Sequence, residues 1–168
     1  MARNDKDFLG LEVVSLEDAS VVGEVDGLVV DETKATVVAL VVDLGLYEAK
    51  LLPFDAVRGL GEDAVMVDSA SSLKPVSASP DLEEIAGREV LVSDAMVLTD
   101  AGNLAGTVGD YFIDPDTGRI SGLEIVVETD DDEISYFIPM TEVIRIGVEL
   151  VMVKAGFKKR AVLSGDAL

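Results

Sequence analysis

The 168-residue chain contains no cysteine and no histidine. Without cysteine there is no disulfide, no thiolate nucleophile and no sulfur-ligated zinc or iron–sulfur cluster. Without histidine the commonest general base and the commonest metal ligand are both gone. A metal site would have to be built from oxygen alone, which points to calcium or magnesium. Basic residues are scarce: 13 Lys+Arg stand against 33 Asp+Glu, for a formal net charge of −20. That charge opposes binding to DNA, RNA and anionic lipid, which are polyanions themselves, and favours basic partners. Long apolar runs are missing too. The longest is Val37–Val42, far short of the roughly 20 residues that cross a bilayer. Residues 1–7 carry no apolar core of a signal peptide, so the expected location is cytoplasmic with no membrane insertion.

What is present is hydrophobicity. Nearly half the chain, 49%, is apolar, and mean hydropathy is +0.36. Disordered acidic chains pair high charge with low hydrophobicity. This chain can therefore bury a core under an acidic surface.

The chain also repeats itself. Phe8–Val14 reappears as Glu84–Leu91, which sets Gly10 against Gly87 at a shift of 77 residues. Val22-Gly23-Glu24-Val25 reappears as Ala105-Gly106-Thr107-Val108, and Leu28–Asp31 as Tyr111–Asp114, at a shift of 83. Val37–Val42 then matches Ile120–Ile125. Leu52–Val57 matches Ile138–Val143, Gly61 matches Gly147, and Val65–Val67 matches Val151–Val153, at a shift of 86. The shift changes near residues 100–103 and 130–133, both turn-like, where duplicated domains accept insertions.

Each half reads as β-structure. Valine-rich runs of four to eight residues alternate with Gly, Asp and Pro, as short strands should. Thr33–Thr36, Pro115–Gly118 and Asp130–Glu133 each divide two apolar runs and read as hairpin turns. Val37–Val42 is apolar on both faces and needs cover on both, as in a closed barrel packed against a neighbour. The expected fold is all-β: two tandem small barrels of about five or six strands each. The expected boundaries are a first barrel at 1–68, a Ser/Ala/Pro-rich linker at 69–84, a second barrel at 85–153 and a basic tail at 154–168. Within the linker, Ser79 can cap a helix of at most about two turns, with Pro80 in its first position and Gly87 soon after.

This ordered series resembles the PRC-barrel family, which includes the photosynthetic reaction centre H subunit and the C-terminal part of ribosome maturation factor RimM. The resemblance rests on Leu9–Val13, Val22–Val25, Leu28–Asp31, Val37–Val42 and Leu52–Val57, on their repeats, and on Asp114-Pro115-Asp116-Thr117-Gly118-Arg119-Ile120. It implies tandem barrels that serve as protein-binding modules in larger assemblies. The chain shows neither the membrane helix of the H subunit nor the other domain of RimM, so neither function transfers whole.

The repeated residues have physical readings of their own. Gly10 and Gly87 allow a sharp entry into a first strand. Gly23 and Gly106 allow a bend or a close backbone approach. Asp31 and Asp114 can accept backbone hydrogen bonds in turns. Pro53 and Pro139 suit strand ends. Gly61, Gly118 and Gly147 complete the structural set.

Chemistry is harder to find. Asp114 and Asp116 alternate like the start of a calcium loop, but Gly118 and Ile125 fall where the fifth and twelfth ligands belong. A hairpin turn is the better reading. Asp130, Asp131 and Asp132 form an acidic run that reads as a solvated loop tip able to meet a cation or a basic partner. Asp26, Asp110 and Glu124 flank apolar runs, and raised pKa values there would suggest acid–base chemistry. Ser121 and Ser164 lack a nucleophile elbow and any histidine to activate them. Phe54, Tyr111, Phe112, Tyr136 and Phe137 read as core or cross-strand contacts, and an exposed pair would mark an interface. Lys154, Lys158, Lys159 and Arg160 make a basic tail that reads as a solvated terminus with a last strand near Ala161–Leu163. RNA is disfavoured except through those four residues. The expectation is a non-enzymatic adaptor without cofactor, with a basic protein partner and scope for self-association. The alternatives are a RimM-like ribosome-assembly factor and a carrier of an ion or small ligand between the barrels.

Overall fold

A computed structural model of the chain describes residues 2–157 and the backbone of residues 160–161. After β1 (Arg3–Asn4) and a 3-10 turn at Asp5–Asp7, six strands form the first half. They are β2 (Glu12–Ser15), β3 (Val21–Asp31), β4 (Thr36–Gly45), β5 (Glu48–Pro53), β6 (Gly59–Leu60) and β7 (Ala64–Val67). One helix, α1 (Pro80–Gly87), separates them from the second half. There β8 (Met96–Thr99), β9 (Leu104–Ile113), β10 (Ile120–Glu128), β11 (Glu133–Pro139), β12 (Val143–Ile146) and β13 (Leu150–Val153) repeat the series, and β14 (Arg160–Ala161) follows. The first sheet runs β5-β4-β3-β2-β7-β6, and the second runs β11-β10-β9-β8-β13-β12 with β14 beside β11 and β1 beside β9. Both contain one parallel pair, β2 with β7 and β8 with β13. Two sheets with the same path, not one merged sheet, are what a duplicated barrel requires.

The repeat holds at the level of register, with one correction. β8 repeats β2, so Glu12 corresponds to Met96 at a shift of 84, not to Glu89 at a shift of 77. The amide of Gly10 donates to Val25 O at 2.9 Å and that of Asp94 to Val108 O at 2.8 Å. Gly10 has φ +85° and Asp94 has φ +69°; aspartate is one of the few side chains that visit this region. No glycine therefore marks the entry of the second copy. Gly87 is the last residue of α1, and its likeness to Gly10 is one of letters only. The loop after β8 is one residue shorter than its counterpart, not an insertion.

The two halves exchange contacts about a local pseudo-two-fold. The amide of Val37 donates to Gly118 O at 2.7 Å, and that of Ile120 donates to Ala35 O at 2.9 Å. Each bond is the other shifted by 83 residues, and Thr36 pairs with Arg119 between them. The arms before each barrel are exchanged as well. β1 pairs with β9 of the second half, while Arg88, after α1, reaches Glu32 at 2.8 Å in the first half. One contiguous cluster of buried apolar side chains, from Phe8 through Leu40 and Leu52 to Ile113, Leu123 and Ile138, runs through both halves.

The outer face of the first barrel is covered by α1, not by the other barrel. Ser79 Oγ accepts from the Leu82 amide at 3.4 Å, Pro80 stands at the start and Asp81 and Glu83 lie in the first turn. Leu82, Ile85 and Ala86 share one helical face, and they pack on Val29, Ala39 and Leu51. Full burial of a leucine or isoleucine contributes about 1.5–3 kcal/mol, and Leu82 and Ile85, partly buried, contribute less. The second half, without an equivalent helix, uses its own rings: Phe112 and Phe137 meet edge to face at 5.6 Å, and a Cβ on Gly122 would collide with Phe137. Residues 69–84 are folded, not a free tether. Leu73 is buried, and Lys74 exchanges two backbone bonds with Leu51 along the edge of β5.

Two glycine substitutions test this arrangement. Gly118 has φ +78°, and its Cβ would strike the Val37 carbonyl in the junction. Gly118→Ala is expected to lose about 2–4 kcal/mol in urea unfolding. Gly87 has open space around it, so Gly87→Ala is expected to be neutral or to gain up to about 1 kcal/mol. A destabilised Gly87→Ala would contradict its place at the end of the helix.

Candidate functional site

The positions singled out in the sequence fall mainly into turns and close approaches. Asp31 Oδ1 accepts from the Thr33 amide at 3.1 Å and hydroxyl at 2.6 Å. Asp114 Oδ1 accepts from the Asp116 amide at 2.8 Å. Gly23 lies where a Cβ would sit 2.5 Å from Val42 Cγ1, and one on Gly106 would strike the Val126 carbonyl. Gly61 and Gly147 close matching turns onto Ala64 O and Leu150 O. Pro53 and Pro139 end β5 and β11, each leading into a 3-10 turn. Asp130, Asp131 and Asp132 occupy the exposed tip between β10 and β11. Among the described residues no three carboxylates converge to hold a metal ion.

Of the three carboxylates considered for acid–base chemistry, Asp26 is exposed, and Glu124 Oε1 accepts from the Asp110 amide at 3.2 Å. The Asp110 carboxyl is held below its ordinary value, not raised as acid–base chemistry would call for. Burial acts upward on it, but the Lys6 ammonium at 2.5 Å and the Asn4 amide at 2.6 Å prevail. The raised carboxyl is Asp5, pushed up chiefly by burial. It accepts from the Tyr111 amide at 3.0 Å and Ser93 Oγ at 2.9 Å, both in the other half. This cluster ties the N-terminal arm to β9. The matching anchor of the second arm is Arg88, which also meets Glu84 at 3.3 Å and Asp31 at 3.8 Å. Both clusters fasten arms.

Between the halves lies an open groove of about 810 Å³, lined by Phe54, Val57, Leu60 and Leu82 with Arg58 and Asp116 at its sides. In the basic tail, Lys154 is exposed and its amide donates to Glu142 O. Lys158 and Lys159 lie outside the described residues, as do Val162, Leu163 and Ser164. The strand expected near Ala161–Leu163 is described at Arg160–Ala161, paired with Tyr136 and Phe137.

The most unusual surface is elsewhere. In the hairpin between β4 and β5, Gly45 pairs with Glu48, leaving Leu46 and Tyr47 as the two central turn residues. Both have positive φ, +53° and +62°. That geometry normally selects Asn-Gly, and bulky side chains adopt it at a cost of roughly 1–2 kcal/mol each. Yet Leu46 is 98% exposed and Tyr47 fully so. Beside the base of this tip, three carboxylates stand in one row across three strands. Glu12 pairs with Glu24, and Glu24 pairs with Asp43. Like charges directly opposite each other are destabilising. The three line a shallow bowl with Val21, Val22 and Leu44.

A duplicated barrel with two matching strand paths is also what comparison finds. The family model of the PRC-barrel domain matches the chain twice, over residues 2–74 and 88–159. The chain belongs to the PRC-barrel family. No curated protein matches it. Among the described residues no helix is long and apolar enough to cross a membrane. In this PRC-barrel tandem the aromatic outlier is Tyr47, which hydropathy patterning did not single out. The signal available was Gly45-Leu46-Tyr47 in a place where a hairpin wants Asn-Gly.

Asp5 yields a pH prediction. Its folded pKa lies above the ordinary aspartate value of 3.8, so the folded state binds the proton more tightly than the unfolded chain. Its stabilising share is present at the acid end and is lost as pH rises from 3.8 through the folded value. Asp5→Asn keeps an acceptor for the Tyr111 amide and cannot ionise. Urea midpoints measured across this window are expected to move in favour of the variant as pH rises. A constant difference would show that Asp5 titrates at the same pH in the folded and the unfolded chain.

Proposed function

We propose that this PRC-barrel tandem is a non-enzymatic cytoplasmic adaptor whose first barrel docks a basic protein segment. The observation that carries the reading is the pairing of a strained, exposed Leu46–Tyr47 tip with the Glu12–Glu24–Asp43 row at its base. Both features work against folding stability, and both suit one partner. An apolar pocket on that partner takes the Leu46 and Tyr47 side chains, and its lysines or arginines relieve the carboxylate row. Aromatic anchors of this kind dominate binding energy at interfaces, while complementary charge sets approach and orientation. The net charge of −20 steers the same class of partner from a distance.

Variants separate binding from folding. Leu46→Asn with Tyr47→Gly installs the residues that the turn prefers, so stability is expected to rise by about 1 kcal/mol. Glu12→Gln with Glu24→Gln removes the facing charges and is expected to raise it by about 0.2–1 kcal/mol. Both are expected to lose the proteins that the wild type captures from cell extract at low salt, identified by mass spectrometry. Recovery of the same proteins by the tip variant, or no specific capture by the wild type, would overturn the reading.

A further inference from the structure

The face of the second barrel that corresponds to the carboxylate row has changed character. Register places Leu150 beside Met96 and Met96 beside Thr107, and Thr107 beside Val126. The counterparts in the first barrel are Ala64, Glu12, Glu24 and Asp43. An acidic row in one copy is therefore an uncharged, largely apolar row in the other. The next row on the same outer face runs Arg145, Met152, Leu98, Leu104. The inward neighbours Val97, Val151 and Val153 are fully buried, which turns Met96, Leu98 and Met152 outward, because side chains alternate along a strand. Leu104 is 67% exposed and Met96 48%. Contiguous apolar surface of this kind marks an interaction site on a soluble chain.

We infer that this face is the contact between two copies of the chain in a two-fold dimer. The charges at its margin favour that occupant. Arg145 and Glu149 both border the shallow hollow beside Met152, and neither has an ion-pair partner among the described residues. In an isologous contact each surface meets itself. The apolar rows then face each other, and Arg145 of one copy meets Glu149 of the other. A basic partner finds only Glu149 here, and an acidic one is repelled by the −20 body. Neither row of this face holds an acid, so two such bodies can meet here without stacking carboxylates. Its edge strand, β12, has four residues and ends the sheet. The counterpart β6 has two, and Arg3 Nη1 donates to Gly61 O beside it at 2.8 Å.

Sedimentation equilibrium of the full chain tests this. The expected species is a dimer of twice 17.7 kDa, tightening as NaCl rises to about 0.5 M because salt screens the repulsion between acidic bodies. Met96→Glu, which places the acid of the first barrel here, and Leu104→Lys are each expected to weaken the dimer at least about tenfold, with melting curves unchanged at dilutions where every form is monomeric. Arg145→Glu is expected to weaken it, and adding Glu149→Arg to restore it. Val21→Glu, at the position matching Leu104, is expected to leave it intact. A monomer at every concentration and salt, a dimer indifferent to Met96→Glu and Leu104→Lys, or open-ended assembly would overturn the inference. The tip variant Leu46→Asn with Tyr47→Gly is expected to dimerise normally, so loss of the basic partner and loss of the dimer are read separately.

Discussion

Two long hairpins, β3–β4 and β9–β10, are largely apolar on both faces in the parts nearest their turns, and that constraint organises the molecule. One face fills the barrel interior. The other must also leave water, and the two copies meet this need differently. The first lays the amphipathic helix α1 over Val29, Ala39 and Leu51. The second folds Phe112 and Phe137 across the place where Gly122 leaves room. The same hairpins supply the junction, because their turns donate and accept the reciprocal backbone bonds at residues 35, 37, 118 and 120. Cover and junction together explain why the halves share one core and not merely a tether.

The exchanged arms follow from that junction. Each arm crosses to the other hairpin before entering its own barrel, and each is held there by charge. Asp5, Lys6 and Asn4 serve one arm, and Arg88 serves the other. The buried Asp5 is stabilised by donors, yet desolvation still raises its pKa.

Duplication left two copies free to diverge on their outer faces while register and core stayed the same. The first carries a carboxylate row and an exposed turn that strains its own backbone. The second carries an uncharged, largely apolar row at the matching positions. Neither feature improves folding. Departures of this kind, where local preference and global structure disagree, concentrate where surfaces meet other molecules. The two faces differ in chemistry, one acidic and the other largely apolar.

Much of the fold was legible in composition and spacing. The alternation of Val runs with Gly, Asp and Pro announced strands and turns, and Asp31, Asp114, Pro53 and Pro139 occupy the turns and strand ends that their chemistry suits. Ser79-Pro80 announced α1. The second entry was misplaced because Asp94 does the work of Gly10 without looking like it. The surfaces were not legible. Glu12, Glu24 and Asp43 are ordinary acids in three separate segments until antiparallel register sets them side by side. Asp5 looks like part of a solvated terminus until it meets Tyr111 and Ser93. Local periodicity dictates which residues form strands and which way they face, because it depends on neighbours a few bonds away. Which charges come together, which face is covered and which stays bare depend on contacts between residues far apart in the chain, and these exist only once the two barrels have closed on each other.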